Sequence, residues 1–263
     1  MGDYETIVTE VKEQTGWIIL SREERRNALN PQMLKELQAA LSEFDNNADV
    51  VSIVLTGAGE KSFCSGMDLG GGEMMQLSFL ERHEVQRQFI DVFKKIRTLQ
   101  KPLIGRVQGT ALGGGLGLAC ACDLVVAAKE ARLGTPEINL GLFPYIIMAT
   151  LLRVANNRKK LLELMYTGEK ITAEQAHTLG LVSDVVTAEE LDQKVAEVTG
   201  KINQKSPAIL RLGRRSFYNI QDMDYEEAME YLSGMLALNM QAEDMVEGVA
   251  AFMEKRQPNW QGK

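Results

Sequence analysis

The chain has 263 residues, of which 45% are hydrophobic and 25% are charged, and its formal net charge is −7. This composition is typical of one large folded domain, alone or with a C-terminal extension. The acidic balance argues against a nucleic-acid surface, and no apolar run is long enough to cross a bilayer. The polar N-terminus lacks the apolar core of a signal peptide. Three cysteines in no metal-ligand spacing favour a reducing, cytoplasmic or matrix-like compartment.

The first third of the chain alternates strand and helix patterns. Residues 4–10 and 17–20 are predicted to pair as antiparallel strands around a turn at 14–16. An arginine-rich polar loop follows, and Pro31 starts a helix in which apolar residues recur at helical spacing. The next predicted elements are a buried strand at 50–55, a turn-rich loop at 56–69 and an amphipathic helix at 81–99.

The stretch at 101–137, KPLIGRVQGTALGGGLGLACACDLVVAAKEARLGTPE, organises the chain. It predicts a buried strand at 102–107, a glycine run, a small-residue helical turn at 118–122 and a second strand at 123–128. Thr135-Pro136-Glu137 has the pattern of a helix start with proline at the first position. Three consecutive glycines before a helix cost backbone entropy, and their usual purpose is close approach of a ligand to free N–H groups.

The glycine run does not fit a nucleotide-binding loop. The dinucleotide fingerprint requires a third glycine, and Leu118 or Cys120 takes its place in the two possible registers. The lysine-serine or lysine-threonine end of a P-loop is also missing. A tight turn that lets a helix pack closely on a sheet is the alternative explanation.

The C-terminal half is dominated by helical patterns. Helices are predicted at 146–154, 159–166, 173–179, 189–203 and 207–219, followed by one long helix at 225–255. Strands that alternate with helices early, and helices alone late, indicate an α/β core at 1–200 and a helical region at 201–263.

Six sequence motifs occur in one order along the chain: RRNALN, KSFCSGMDL, QGTALGGGLGLACACDL, ARLGTPEINLGLFP, TGEKITAEQAHTLGLVSDVV and FMEKRQPNW. Together they resemble the enoyl-CoA hydratase/isomerase (crotonase) family over essentially the full length. The resemblance implies an α/β fold, a crotonase-like spiral of ββα units, with a C-terminal helical trimerisation region. It also implies an acyl-CoA thioester substrate, no metal, no cofactor beyond the coenzyme A of the substrate, and assembly as a homotrimer or a dimer of trimers.

The resemblance places two backbone N–H groups, those of Met67 and Gly114, in an oxyanion hole for the thioester oxygen. Such donors stabilise the negative charge that develops when a proton leaves the carbon beside the carbonyl. Gly114 is expected to begin a helix, whose dipole adds to the effect. Because backbone donors impose no side-chain requirement, methionine is acceptable at position 67. The alternative is that Ser65-Gly66-Met67 forms an ordinary turn.

Typical hydratases of the family carry two glutamates that face one water, and this chain departs from that pattern. Gly117 stands where the first glutamate would follow the glycine run, whereas the second is retained as Glu137. The usual Pro-Gly-Ala-Gly segment is changed to Pro144-Tyr145-Ile146-Ile147. A single carboxylate whose pKa is raised by burial is sufficient to take a proton from one carbon and return it to another. Glu137 alone therefore favours double-bond isomerisation, and the alternative is an acid that only stabilises a helix N-terminus.

Other reactions of the family stay open. An enoyl-CoA hydratase would use Glu137 and a water, and acyl-CoA hydrolases and decarboxylases share the same oxyanion hole. A non-catalytic CoA-binding protein is the alternative outside the enzymes. If the chain is an isomerase, we expect Gly117→Glu to leave isomerisation unimproved and to add some hydration.

The remaining candidate residues surround the predicted substrate. The resemblance places Arg25 and Arg26 where they would contact coenzyme A phosphates, and solvated loop charges are the alternative. Tyr145 is a candidate contact of the acyl chain, and Phe252 and Lys255 would cover the coenzyme A of a neighbouring subunit. The predicted substrate-binding set is completed by Ser65, Gly66, Asp68, Leu69, Gly113 and Gly117. For Asp68, a turn cap is the alternative role.

Overall fold

The computed structural model of the chain describes residues 2–70 and 76–263. In these ranges the chain forms ten strands: β1 Ile7–Lys12, β2 Thr15–Leu20, β3 Ser52–Gly57, β4 Ser62–Cys64, β5 Leu103–Val107, β6 Thr110–Leu112, β7 Leu124–Ala128, β8 Arg132–Gly134, β9 Lys170–Thr172 and β10 Asp184–Val186. It also forms ten α-helices: α1 Pro31–Asn46, α2 Phe79–Thr98, α3 Gly114–Ala121, α4 Tyr145–Val154, α5 Arg158–Thr167, α6 Ala173–Thr178, α7 Leu191–Asn203, α8 Pro207–Asn219, α9 Tyr225–Asn239 and α10 Glu243–Glu254. None of these helices combines the length and hydrophobicity that a membrane span requires.

The strands form two sheets, and from β3 to β8 consecutive strands of the chain join the two sheets in alternation. One sheet has the order β1-β2-β3-β5-β7-β10, and the other has the order β4-β6-β8-β9. All neighbours are parallel except β1 with β2 and β8 with β9. The units β3-β4-α2 and β5-β6-α3 each give one strand to each sheet, so the predicted α/β fold of repeated ββα units is confirmed.

The large sheet is covered by apolar side chains on both faces. Strand β3 is buried along its whole length. Its Ile53 and Leu55 belong to the main core, whereas Val54 belongs to a second cluster that includes Leu191 and Val195 of α7. Successive side chains of a strand point to opposite faces, so a parallel strand in this position has a continuous apolar sequence.

The first hairpin turns at other residues than those predicted. Glu13 and Gln14 have φ angles of +48° and +65°, whereas Thr15 and Gly16 belong to β2. Phe44 of α1 packs on Gly16, and a Cβ at this glycine would lie 2.8 Å from the phenylalanine ring. The glycine therefore serves the packing of α1 on the sheet, not the turn.

The helix after the glycine run begins at Gly114, four residues before the predicted helical turn. A Cβ at Gly115 would lie 2.2 Å from the carbonyl oxygen of Cys64, so the glycines let the first turn of α3 press against β4. The predicted start at Thr135-Pro136-Glu137 is confirmed in position, but the element is a 3₁₀-helix, Pro136–Leu140.

The prediction of one long helix at 225–255 is wrong, because the chain breaks between α9 and α10 at residues 240–242. The break turns Asp244 into the protein, where it is 1% exposed. Its carboxylate accepts hydrogen bonds from the hydroxyl of Ser206 and from the N–H groups of Gln261 and Gly262. The carboxylate thus ties α10 and the C-terminal tail to α8. The division into 1–200 and 201–263 stays a prediction, and α7 runs through residue 200.

A buried ion pair ties α8 to the core. The guanidinium of Arg214, whose side chain is 6% exposed, contacts the carboxylate of Asp123 with an Nε–Oδ2 distance of 2.8 Å. Arg214 also donates to the carbonyl of Ile96 near the end of α2 at 2.8 Å, and the Tyr218 hydroxyl donates to Asp123. Burial and the charge of Asp123 raise the pKa of Tyr218, so the hydroxyl stays a donor. The network fixes the position of the first C-terminal helix.

Candidate active site

Gly113 joins β6 to α3 and brings the carboxylate of Glu137 to the start of that helix. Gly113 has a φ of +52°, which favours glycine, and its N–H donates to the carbonyl of Gly134 at 2.8 Å. A Cβ at Gly113 would lie 2.6 Å from Oε1 of Glu137. The glycine is therefore required both for the turn and for the approach of the carboxylate.

The loop after β4 presents the N–H of Met67. Leu29 and Met67 form an isolated parallel bridge. The Leu29 N–H donates to the carbonyl of Gly66, and the Asp68 N–H donates to the carbonyl of Leu29, each at 2.8 Å. In a trans peptide the N–H points away from the C=O, so the Met67 N–H points away from Leu29. In the described part of the chain it has no recorded acceptor.

The N–H groups of Met67 and Gly114 lie side by side. Gly114 is the first residue of α3, and the first N–H groups of a helix have no partner within it. A Cβ at Gly66, whose φ is +98°, would lie 3.3 Å from the nitrogen of Gly114, and a Cβ at Gly114 would lie 3.5 Å from the nitrogen of Met67. The structure therefore brings the two proposed donors together, with Glu137 beside them at Gly113.

Glu137 has the environment of a proton carrier. Its Oε2 is shielded from solvent and has no hydrogen-bond partner among the described residues. Burial raises the pKa of Glu137, and a hydrogen bond from its own backbone N–H offsets this only in part. The backbone is held by the N–H of Leu142, which donates to the Glu137 carbonyl at 3.1 Å. Because a buried acceptor left unpaired costs about 1–3 kcal/mol, the unpaired Oε2 marks Glu137 as a candidate functional group.

The side-chain space at Gly117 is filled by a neighbouring helix. A Cβ at Gly117 would lie 2.2 Å from Cγ2 of Ile147 and 3.2 Å from Cζ of Phe93. The added hydration expected of Gly117→Glu stays a prediction, and the structure shows that this substitution requires Ile147 to move out of the space that the new side chain needs. Sequence analysis missed the roles of Ile147 and Phe93, although the change to Ile146-Ile147 in a usually small-residue segment was the available signal.

The Asp68 carboxylate is held by partners within and beside the loop that carries Met67. Its carboxylate pairs with the guanidinium of Arg22 at 2.8 Å and accepts the N–H of Gly70 at 2.9 Å. Burial raises the pKa of Asp68, but the hydrogen bonds from Arg22 and Gly70 outweigh this effect and lower the pKa. Arg22 also donates to the carbonyl of Ala28 at 2.7 Å. These contacts support the alternative for Asp68, a structural role in the turn, and its contact with substrate stays a prediction.

Asp68→Asn is expected to destabilise the protein by about 1 kcal/mol, because the ion pair is only partly buried. Since the carboxyl pKa is lowered on folding, the stabilisation is present above the unfolded pKa of about 4 and is lost as the pH falls through the folded value. Urea unfolding at pH 7 and pH 3 measures both effects. Asp91→Asn, which removes an exposed pair with Lys94, is the control. A large rise in KM without loss of stability would return Asp68 to the substrate site.

Arg25 and Arg26 lie beside the loop that carries Met67, and Ser65 of that loop contacts both. The Ser65 N–H donates to the carbonyl of Arg26 at 3.1 Å, and the Ser65 hydroxyl donates to the carbonyl of Arg25 at 3.4 Å. Both arginine side chains are exposed. Arg26 and Lys61 line a polar cavity of about 570 Å³, and Lys61 was missed although it opens the KSFCSG motif. Leu69, 43% exposed, follows the loop.

The other predicted contacts are dispersed. Tyr145, 72% exposed, lines a cavity of about 750 Å³ together with Phe93. Phe252, 83% exposed, lines a separate cavity of about 1010 Å³ between the C-terminal helices, and Lys255 follows α10. Glu137 lines neither cavity. Within one chain Phe252 therefore does not join the site, and its assignment with Lys255 to a neighbouring subunit stays a prediction.

Comparison with known proteins gives consistent relatives over the whole chain. A family model described as enoyl-CoA hydratase/isomerase matches residues 10–263. The chain is 34% identical over 260 residues to the crotonyl-CoA hydratase of Syntrophomonas wolfei, with 99% of each chain covered. It is 32% identical over 250 residues to the short-chain-enoyl-CoA hydratase of Clostridium acetobutylicum, with 95% of each covered.

Solved structures agree with these relatives. The enoyl-CoA hydratase of Bacillus anthracis has a TM-score of 0.93 at 31% identity, with 98% of this chain and 100% of that chain covered. The enoyl-CoA hydratase of Mycobacterium smegmatis has a TM-score of 0.93 at 33% identity, with 97% and 99% covered. The similarity therefore extends over the loop that carries Met67, the glycine run and the C-terminal helices.

Proposed function

The chain belongs to the enoyl-CoA hydratase/isomerase family, and within it we propose that it moves a double bond of an enoyl-CoA thioester, with Glu137 as the single proton carrier. One observation carries the proposal. The partly buried carboxylate of Glu137, whose Oε2 has no hydrogen-bond partner among the described residues, lies beside Gly113, where α3 starts, while a glycine stands at position 117 and its side-chain space is filled by Ile147. The site thus offers one base and two N–H donors.

In the proposed mechanism the thioester oxygen accepts hydrogen bonds from the N–H groups of Met67 and Gly114. Glu137 removes a proton from C-2, and the electron pair of the broken C–H bond moves into the thioester as an enolate. The two donors and the N-terminus of α3 stabilise the negative charge on the oxygen. Glu137 then returns the proton to C-4, which moves the double bond from C-3 to C-2. A pKa raised by burial suits both steps, because the group must accept and release a proton.

The coenzyme A part of the substrate is proposed to lie at the outer edge of the Met67 loop. Arg25 and Arg26 are exposed there, and Lys61 shares a cavity with Arg26. Guanidinium and ammonium groups form charge-assisted hydrogen bonds with phosphates. The proposed reaction needs no cofactor beyond the coenzyme A of the substrate.

Hydration of an enoyl-CoA is the second candidate, favoured by the names of the relatives, which are a crotonyl-CoA hydratase and a short-chain-enoyl-CoA hydratase. In this case Glu137 would activate a water that adds to C-3, and the same two donors would stabilise the enolate. The candidate lacks the second carboxylate that holds the water in typical hydratases, because position 117 is glycine.

Product analysis distinguishes the two reactions. The purified protein is incubated in deuterated water with a 2-enoyl-CoA and, separately, with a 3-enoyl-CoA, and the products are identified by mass spectrometry. Isomerisation leaves the composition unchanged apart from exchanged hydrogen, whereas hydration adds the mass of one water. We expect the 3-enoyl-CoA to become the 2-enoyl-CoA. A protein that hydrates 2-enoyl-CoA rapidly and never moves a double bond would be assigned as a hydratase.

We expect the protein to be a homotrimer or a dimer of trimers. Helix α9 has no buried residue along its 15 positions in the single chain. Its apolar residues Met229, Leu236 and Leu238 are 52%, 60% and 58% exposed. A helix of this length is marginal in water by itself, so its apolar face indicates contact with another subunit. Light scattering should show the assembly, and Leu236→Glu should weaken it, whereas Val8→Thr on β1 should not. A stable wild-type monomer at micromolar concentration would exclude this arrangement.

A reducing compartment such as the cytoplasm remains our proposal for the location. It is supported by the thiols, since Cys64, Cys120 and Cys122 are all free and buried. Burial raises the pKa of the Cys64 and Cys120 thiols to about 12, so they stay protonated and unreactive.

A further inference from the structure

Ile147 stands in the space that a side chain at position 117 would need. A Cβ at Gly117 would lie 2.2 Å from Cγ2 and 2.6 Å from Cβ of Ile147. The Gly117 N–H donates to the carbonyl of Gly113 at 3.0 Å, so the two glycines are one helical turn apart. Residues four apart lie on one face of a helix, about 6 Å along its axis. The apolar contact therefore begins about one turn from the place where Glu137 meets Gly113.

Two phenylalanines of α2 extend this contact into a continuous apolar wall. Phe89 and Phe93 meet edge to face with their ring centroids 4.9 Å apart. The ring edge of Phe89 lies 3.0 Å from the Cβ position of Gly114, and that of Phe93 lies 3.2 Å from the Cβ position of Gly117. Phe89 and Ile147 are 4% and 2% exposed. We call Phe89, Phe93 and Ile147 the apolar wall.

The apolar wall provides no polar atom to hold a water at position 117. An ordered water in a protein interior needs two to four polar partners. Among the described residues, the atoms nearest the Cβ position of Gly117 are carbons of Ile147 and Phe93, which offer a water no hydrogen-bond partner. A water that attacks C-3 must be held in a fixed position. Return of a proton from Glu137 to the enolate needs no water.

We infer that Ile147 is the specificity-determining residue that keeps an attacking water away from C-3 of the 2-enoyl thioester, so that Glu137 moves a proton and the thioester is not hydrated. The inference rests on the proposed function, because it explains why one carboxylate would isomerise and not hydrate. The Cγ2 methyl group of Ile147 carries the effect, since it makes the closest contact with the Gly117 position. Ile147 acts by packing and touches neither the proton nor the thioester oxygen in this scheme.

Two substitutions of nearly conserved shape separate this role from general packing. Ile147→Val keeps the Cβ branch and the Cγ2 methyl, whereas Ile147→Leu keeps the volume but removes Cγ2. Ile147→Ala removes both branches. Leu151→Ala is the matched control, because Leu151 is fully buried one turn further along α4. The double variant Gly117→Glu/Ile147→Gly makes room for a second carboxylate.

The readout is the ratio of hydrated to isomerised product, measured on variants whose folding and assembly are verified by circular dichroism and light scattering. We expect at least a tenfold higher ratio for Ile147→Leu and Ile147→Ala, a further rise for the double variant, and the wild-type ratio for Ile147→Val and Leu151→Ala. An unchanged ratio in Ile147→Leu, or loss of both reactions together, overturns the inference and leaves Ile147 a packing residue. Failure of the proposed function is seen separately, because wild type itself would then hydrate without moving a double bond.

Discussion

Glu137→Gln is expected to lower turnover by about 10²–10⁴-fold, because the amide keeps the shape of the side chain but cannot accept a proton from the substrate and return it. In the described ranges 2–70 and 76–263, no carboxylate takes its place at position 117, since Gly117 has no side chain and Ile147 fills the space beside it. Steady-state kinetics with a 3-enoyl-CoA measure the loss. Glu130→Gln, at an exposed carboxylate, is the control and should keep wild-type activity.

The same substitution should not unfold the protein. Burial raises the pKa of Glu137, so the folded state favours the protonated carboxyl. Stability from this group is fully present below the unfolded pKa of about 4.3 and is lost as the pH rises through the folded value. At neutral pH the free energy of unfolding of wild type is lowered by this loss, whereas that of Glu137→Gln is not, because the amide does not ionise. We therefore expect a melting temperature at pH 7 equal to that of wild type or higher.

The pH dependence of wild-type activity follows from the same group. A general base works only when ionised, so kcat/KM should fall on the acid side at a pH above the usual glutamate range. The residual activity of Glu137→Gln should not show this fall of kcat/KM at acid pH. A folded Glu137→Gln that retains normal turnover, or loses it together with its structure, would remove Glu137 as the proton carrier.

Gly114→Pro is expected to lower turnover by about 10²–10³-fold, because it deletes one of the two oxyanion donors. Proline is tolerated at the first position of a helix, and Gly114 is the first residue of α3. Gly114→Ala is the matched control: it keeps the N–H, and its Cβ would lie 3.0 Å from the ring edge of Phe89 and at an ordinary contact distance of 3.5 Å from the Met67 nitrogen. Activity should therefore survive in Gly114→Ala after a small shift of that ring.

Met67→Leu tests the other donor by keeping its N–H and changing only the side chain. The substitution keeps the N–H and approximates the volume of methionine, so activity should stay within a few-fold of wild type. Circular dichroism and the size of the assembly verify folding for all three variants. An inactive, folded Met67→Leu would give the methionine side chain a role, and an active Gly114→Pro would exclude the Gly114 N–H from the oxyanion hole.

Features that depend on local backbone chemistry are predictable from this sequence. The glycine run predicts a close approach of backbone groups, and Gly113 does bring Glu137 to the start of α3. Pro31 marks the helix start correctly because its fixed φ suits the first turn, and the N–H of Met33 bonds to Asn30. The resemblance of the motifs to the enoyl-CoA hydratase/isomerase family implied that Met67, Gly114 and Glu137 share one site, and the structure brings these residues together.

Features that depend on distant partners were not predictable. The break before α10 exists because Asp244 reaches Ser206, which lies 38 residues earlier. The Asp68 carboxylate pairs with Arg22, which lies 46 residues away in sequence. The residues beside Asp68 in sequence therefore did not indicate this partner. Ile147 meets Gly117 only because α4 packs on α3, and no periodicity in either segment records that contact.

Transfer of a labelled proton tests the single-carboxylate mechanism most directly. A 3-enoyl-CoA carrying deuterium at C-2 is converted in ordinary water, and the 2-enoyl-CoA formed in the first turnovers is examined for label at C-4. If Glu137 alone removes and returns the proton, part of the deuterium should appear at C-4, and this transfer should vanish in Glu137→Gln. Formation of 3-hydroxyacyl-CoA without movement of the double bond, or isomerised product with no label at C-4 at any time, would contradict the mechanism.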